Sequence, residues 1–514
     1  MPKKLPIGIQ TLSHIIEGGY VYVDKTPYAF RMIDQGKYYF LSRPRRFGKS
    51  LFLDTLKEIF EGNKALFEGL YIEDKWDFDD RYPVIHISLG AGMSITKERM
   101  YDMLRWQMSK EAKRLGVEFE ETAMPRDILA RLIWSAREKY GKPVVVLIDE
   151  YDKPILDNIT NTELAREMRD ELKDMYTVIK SSDELIKLVF ITGVSKFSKL
   201  NLFSGLNNLN DITLNPTYGN ICGYSHEEVL EHFQEHLAGV NMEEVRAWYN
   251  GYNYFGDKVY NPFDILLFID NELDFRNYWW STGNPKFLID LVKSKAYDIP
   301  NVENYEATDS MLDSFDVDNI ELEPLLWQTG YLTIKEKFTF RGRNRYRLGV
   351  PNKEIQYSLN DFFIDVLTTQ KTQKSQYQDG IYTALMEADM EKLKAQLKAL
   401  FASIPYQNFT NNRIAEYEGY YASVIYAYLA SLGFDIIPED TTNQGQLDLT
   451  LKTGQQLYLF EFKVVDSPSG QALQQLKNKN YAQKYQPIGS GFYVGIEFSK
   501  AERNVVGFEW EKLT

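Results

Sequence analysis

Between residues 37 and 215 short apolar runs alternate with longer stretches whose apolar residues recur at helical spacing. Residues 37–41, 84–89, 144–149 and 188–192 read as strands, and stretches such as 96–115 and 125–140 between them read as helices. That rhythm predicts a mostly parallel sheet covered by helices. From Gly223 the pattern changes: Ser225-His226-Glu227-Glu228 has the form of a helix N-cap followed by acidic first-turn residues. More helical stretches follow, with an aromatic-rich segment at 248–263, so the middle region reads as mainly helical. It closes at 326–348, where apolar stretches flank Arg341-Gly342-Arg343-Asn344 as in a hairpin that would suit the wing of a winged-helix domain. The tail reads as helices at 389–400 and 420–433, strands at 447–451 and 456–463, a helix at 470–483 and a strand at 491–496. Three domains are expected, 1–222, 223–365 and 366–514, in an α/β chain.

At 514 residues the chain exceeds what one hydrophobic core usually organises. A single cysteine, Cys222, rules out an internal disulfide framework, and five scattered histidines form no cluster spaced for zinc. Any metal site must therefore be built from carboxylates. The longest uncharged stretch, residues 419–434, is short for a bilayer span, and no apolar segment follows the first lysines. A soluble, cytoplasmic protein with no membrane contact is the expectation. The net charge of −14 argues against non-specific coating of nucleic acid, and residues 411–514 carry 9 Lys+Arg against 12 Asp+Glu.

Ser42-Arg43-Pro44-Arg45-Arg46-Phe47-Gly48-Lys49-Ser50 follows an apolar strand and precedes a helical pattern, the context of a phosphate-binding loop. Gly48 would let the backbone approach a phosphate, Lys49 would reach the terminal phosphates, and Ser50 would place its hydroxyl on Mg²⁺. Arg43 stands where the usual pattern has its first glycine, and arginine adopts a glycine turn only at a cost. Further on, the apolar strand 144–148 runs into Asp149 and Glu150, placed to hold Mg²⁺ and to orient water, or alternatively to cap the next helix. Thr192 and Ser195 end the next strand, where a sensor of the terminal phosphate or a simple cap would sit.

These residues resemble the bacterial AAA-ATPase-like proteins that carry a C-terminal PD-(D/E)xK domain. The resemblance rests on Tyr22-Val23-Asp24-Lys25-Thr26, the Arg-Pro-Arg-Arg-Phe-Gly-Lys-Ser loop, Leu147 to Tyr151 with Asp152, and Ile191-Thr192-Gly193-Val194-Ser195. It continues through Trp248-Tyr249-Asn250-Gly251-Tyr252 and Tyr260-Asn261-Pro262-Phe263. It implies ATP binding, an AAA-like P-loop domain, and an arginine that is usual in this version of the loop.

In the tail, Asp448 lies on one apolar strand and Glu461-Phe462-Lys463 ends the next, so Glu461 and Lys463 point to one side. Two acids can share a divalent ion that activates water against a phosphodiester, while the lysine orients that water or offsets charge. Glu418, or less favourably Glu416, opens the preceding helix and could act as an outer ligand. Gln474 and Lys477 share a face of the last helix and could touch a substrate strand or simply face water. The ordered set Glu418, Asp448, Glu461, Lys463 resembles the PD-(D/E)xK superfamily. Arg341, Arg343, Arg345 and Arg347 alternate along the hairpin and could face phosphates or merely protect an edge.

The leading expectation is an ATP-controlled nuclease. Lys49, Ser50 and Asp149 bind ATP and change the domain arrangement, and Asp448, Glu461 and Lys463 cut DNA, or secondarily RNA, with Mg²⁺ or Mn²⁺. The alternative is an ATP-dependent switch whose C-terminal domain binds without cutting; a third is a motor that remodels nucleic acid. A homo-oligomer is left open, with Arg45 and Arg46 then acting on a neighbour's phosphate.

Overall fold

The computed structural model describes residues 2–90, 92, 96–118, 124–196, 208–282, 305–313, 321–368, 373–405, 418–442, 444–479, 481–485 and 490–513. They fall into two compact units, one reaching residue 284 and including 306–352, the other running from 353 onward.

In the first unit, β1 (Tyr38–Ser42), β2 (Val84–Ser88), β3 (Val144–Asp149), β4 (Ile186–Gly193) and β5 (Asn210–Asp211) lie in the order β2-β3-β4-β1-β5, all neighbours parallel. Every position of β1 and β3 is buried. Strands covered on both faces read as continuous apolar runs, not alternating ones, which is the pattern the sequence carries. The helix Lys97–Leu115 starts where the Thr96 side chain accepts the Arg99 N–H, and Pro125–Tyr140 starts on a proline that lacks the N–H a first turn leaves unpaired. Because β1 and β3 both flank β4 in parallel, the loops after all three open at one edge of the sheet.

The middle residues belong to this same unit. Here β6 (Tyr224–Ser225) pairs with β7 (Val259–Tyr260), and Ser225 and Glu228 close a capping box on the helix His226–His232. Val229, Phe233, Tyr249, Tyr260, Ile265 and Phe268 form a core that also takes in Val21 and Val23 from the N-terminal segment. A three-stranded antiparallel sheet follows, β8 (Glu306–Thr308), β9 (Thr333–Phe340) and β10 (Arg343–Gly349), in the order β8-β10-β9. Arg341 and Gly342, both at positive φ (50° and 76°), make the hairpin turn. The apolar residues from 326 to 329 are not part of that hairpin, as the sequence pattern had them. They end the helix Leu322–Thr329, which Gly330 closes at φ 93°.

The second unit places helices Lys353–Thr368, Lys374–Met386, Met390–Ser403 and Glu418–Ser431 before a sheet. Its strands β11 (Asp435–Thr442), β12 (Gly445–Lys452), β13 (Leu457–Val464), β14 (Gly491–Ser499) and β15 (Asn504–Lys512) run in sequence order. Only β13 and β14 are parallel among these, joined across the helix Gln471–Lys479. The elements of the expected α-β-β-α-β order are present, but β11 intervenes after the first helix and β15 follows the last strand, and the sequence pattern predicts neither of these outer strands. Pro438 breaks the reading of β11, since a proline fits a sheet only where its missing N–H is not needed, as at an edge. The alternation of β15 is blurred by Gly507 and three acids or lysines at its end. Among the described residues no helix is long and apolar enough to cross a membrane.

Candidate functional site

The loop after β1 turns through Arg46 (φ 69°) and Gly48 (φ 94°) into the helix Lys49–Glu61. Gly48 needs the left-handed conformation that only glycine adopts without strain. Arg43 does not occupy that region, so the cost expected of an arginine in the glycine position does not arise. Its side chain is fully buried instead, and its guanidinium donates to the carbonyls of Ser42 and Thr213 at 2.9 Å and of Tyr218 at 3.3 Å. It also lies 3.7 Å from the centre of the Tyr254 ring. Arg43 therefore clamps the loop to the segment after β5 and to the middle residues. Pro44 packs against Gly330 so closely that a Cβ there would come within 2.7 Å of the Pro44 ring.

Lys49 is buried, and its ammonium donates to the carbonyls of Arg43 and Pro44, each at 2.9 Å. Burial pulls its pKa down, opposed by the charges of Asp149 and Glu150. Asp149, at the end of β3, accepts from Ser50 Oγ at 2.5 Å on one oxygen and from Thr192 Oγ1 at 2.6 Å on the other. The acid thus ties the start of the helix to the end of β4. Glu150 sits at φ 52°, a conformation that costs a non-glycine residue about 1–3 kcal/mol and is found where surrounding structure imposes it. Burial raises the Glu150 pKa, and the neighbouring Asp149 charge adds to the shift while Lys49 opposes it.

Asp152 is a buried partner whose role no spacing announced. Its carboxylate accepts from Val194 N at 3.0 Å, Ser195 N at 2.6 Å and Ser195 Oγ at 2.5 Å. Burial raises its pKa, and the Ser195 donors work against that shift. The two candidates at the end of β4 therefore divide: Thr192 serves Asp149 and Ser195 serves Asp152. A cavity of about 450 Å³ is lined by Gly48, Lys49, Ser50, Glu150 and Asp152 together with apolar Ile9, Val23, Phe263 and Leu266. Asp149 and Thr192 do not line it and connect to it through Ser50. Polar phosphate-binding groups beside an apolar wall are what a nucleoside triphosphate requires.

In the second unit, β12 and β13 pair antiparallel with Leu449 opposite Phe460. Asp448 and Glu461 are the next residues of β12 and β13 beyond that pair. Asp448 Oδ2 accepts the Phe462 N–H at 2.7 Å, which fixes the carboxylate against the neighbouring strand. Glu461 is buried, and its Oε1 accepts from Lys463 Nζ at 3.0 Å. Two carboxylates with a lysine at their edge form an oxygen donor set that suits a hard divalent cation. Glu416 and the Glu418 side chain lie outside the described residues; Glu418 is the first residue of its helix. Among the described residues no three His, Cys, Asp or Glu side chains gather to hold a metal.

The helix Gln471–Lys479 contributes a residue that the sequence reading passed over. Gln475 Nε2 donates to Glu461 Oε1, the same oxygen that Lys463 reaches. Gln474 instead bonds Asn478 at 2.9 Å and Lys477 pairs with Glu511 at 2.6 Å, so neither meets the carboxylates. The signal was present: Ala472 and Leu476 are the buried positions, and Gln475 lies three residues beyond Ala472 on their face. Glu497 on β14 holds the start of this helix, accepting from Ser469 N and Gln471 N at 2.7 Å. Burial opposes the ionised form of Glu497, but these donors outweigh it and lower its pKa.

A family model described as predicted AAA-ATPase matches residues 6–203, and one described as PD-(D/E)XK nuclease superfamily matches residues 416–508. A protein of Azotobacter chroococcum mcd 1, described as an uncharacterized protein in the vnfD 5' region, is 47% identical over 514 residues and 99% of each chain is covered. The solved Aeropyrum pernix ORC1 protein in complex with DNA is similar over 68% of this chain and 96% of its own, at 11% identity and a TM-score of 0.29, too low to carry an argument.

Proposed function

We infer that this chain, which belongs to the AAA-ATPase-like family with a C-terminal PD-(D/E)XK nuclease superfamily domain, is an ATP-controlled nuclease. The observation that carries the reading is convergence across long sequence distances. Asp149 meets Ser50 and Thr192 beside a cavity of nucleotide size, and Asp448 accepts the Phe462 N–H of the strand on which Glu461 and Lys463 pair.

In the first unit, Gly48 and the first N–H groups of the helix receive the phosphates, and Lys49 exchanges its two carbonyl partners for phosphate oxygens. Ser50 and Asp149 would hold Mg²⁺, and Glu150 orients the attacking water. In the second unit, Asp448 and Glu461 would hold Mg²⁺ or Mn²⁺, with Glu418 as a further ligand; the ion supplies Lewis acidity toward the phosphodiester and toward water. Lys463 steadies the attacking water or the negative charge that develops on the phosphoryl oxygens, and Gln475 fixes the Glu461 carboxylate. Cleavage adds the water oxygen to phosphorus, breaks one P–O ester bond and leaves the proton on the departing oxygen. The substrate is nucleic acid, with DNA placed ahead of RNA, and the protein acts in the cytoplasm. The net charge of −14 supports a second reading, a nucleotide switch whose C-terminal domain binds without cutting.

A cleavage assay on single- and double-stranded DNA and RNA, with Mn²⁺ or Mg²⁺ and with or without ATP, separates them. Cutting by the wild type should fall about a thousandfold or more in Asp448→Ala. Lys49→Ala should weaken ATP binding by roughly 10- to 100-fold and change the response of cutting to ATP. A wild type that binds ATP and cuts nothing favours the switch.

A further inference from the structure

The hairpin β9–β10 carries a surface that neither site uses. Its register sets Arg343 opposite Phe340, Arg345 opposite Phe338 and Arg347 opposite Glu336, and residues directly opposite share a face. The other face is anchored in the protein, where Tyr346, Leu348 and Ala307 are all buried. The outward face therefore interleaves arginine and phenylalanine across two strands. Phe340 is 53% exposed, with the Arg341 guanidinium 5.3 Å from its ring centre, and Arg347 lies 5.6 Å from that of Phe338. Glu336 takes the charge of Arg347 at 2.6 Å, whereas among the described residues no carboxylate forms an ion pair with Arg341, Arg343 or Arg345.

Arg343, Arg345 and Arg347 lie on β10, the central strand of β8-β10-β9, so protection of a sheet edge accounts neither for them nor for the outward phenylalanines. We propose that this face binds single-stranded nucleic acid, with Phe340 and Phe338 stacking on bases and Arg341, Arg343 and Arg345 pairing with phosphates. A base offers its π-face to a side chain only when it is unstacked, and a platform for such strands combines aromatic rings with positive charge that follows the backbone. The cluster is the more selective because it stands on a chain of net charge −14, which repels polyanions elsewhere. The surface lies in the first unit, so this binding stands whether or not the second unit cuts.

Fluorescence anisotropy of labelled oligo(dT), and of a duplex of equal length, with the full chain in EDTA measures binding free of cleavage. The wild type should prefer the single strand. Phe340→Ala should weaken that binding about tenfold with little change in its salt dependence. Arg343→Ala with Arg345→Ala should lower the slope of log affinity against log salt by about 1.4, since each phosphate contact on a single strand contributes about 0.7. Equal affinity for duplex and single strand, or binding unmoved by Phe340→Ala, overturns the proposal. So does a wild type that binds no oligonucleotide, an outcome that would leave the face to a protein partner. Phe340 and Arg343 are exposed and Arg345 is half-buried, and thermal melting checks that the variants fold.

Discussion

The loop after β1 and the paired strands β12 and β13 both display chemistry at the end of a strand, but they hold their side chains in different ways. Around the loop, Arg43, Lys49, Ser50, Asp149, Asp152, Thr192 and Ser195 are bonded to one another or to local carbonyls, and most are buried. Around the carboxylates, two paired strands carry Asp448 and Glu461, and Lys463 from the same strand and Gln475 from the next helix reach Glu461. A site made of an interlocked network depends on supports that never meet a ligand. A site made by register depends on few partners, each close to the chemistry. The same kind of substitution should therefore act on folding in the first unit and on activity in the second.

Arg43→Gly breaks that comparison most severely, because it restores the residue usual in a phosphate loop and should still harm the protein. Removing a buried guanidinium strands the carbonyls of Ser42, Thr213 and Tyr218 and loses the Tyr254 contact, a loss of about 3–5 kcal/mol. Calorimetry should find the first unit melting roughly 10 °C lower. An unchanged melting temperature would mean that the clamp is not what holds the loop.

Gln475→Ala tests the other half of the contrast. Groups that orient a metal-binding carboxylate typically contribute about 10- to 100-fold to affinity or activity, so cutting should fall by that order while ATP binding and melting stay as they were. Gln474→Ala, one residue away and with its side-chain amide on Asn478, should change neither. Equal effects of the two substitutions would remove Gln475 from the site.

The smallest effect concerns pH. In the proposed ATPase reaction Glu150 orients water as the ionised acid, and burial with the adjacent Asp149 charge raises its pKa above the ordinary 4.5. ATP turnover should therefore begin to fall, as pH is lowered, at a higher pH than an unperturbed glutamate would give. Glu150→Gln should be slow and should lack that acid limb. If the limb persists in Glu150→Gln, another group titrates there. For stability the sign is opposite: a carboxyl with a raised folded pKa binds its proton more tightly in the native state, so ionising Glu150 between 4.5 and that higher value costs stability as pH rises.

Much of this architecture was legible from local pattern. The continuous apolar runs of the parallel sheet, the Ser225 cap and the Gly-Lys-Ser loop depend on neighbours within a few residues, and a linear reading finds them. The edge strands β11 and β15 escaped because a strand paired on one side tolerates proline, glycine and charge, which dilutes the alternation that announces it. The winged-helix reading drew residues 326–329 into the hairpin because an apolar run does not reveal where its helix stops; the conformation of Gly330 does. Gln475 was one position from the residue singled out, and only the phase set by Ala472 and Leu476 tells the two glutamines apart.

Local pattern sets the chemistry on offer: a lysine and serine after a strand, an acid pair at the end of another, and an aspartate with a Glu-x-Lys on two more. Those choices are local, since strand period and helix capping act over a few residues. Which of these groups meet depends on the folded chain. Ser50 reaches Asp149 across 99 residues and Arg43 reaches Tyr218 across 175, and no local pattern encodes such contacts. They follow from parallel strand order and from the requirement that a buried guanidinium or carboxylate find partners inside the fold.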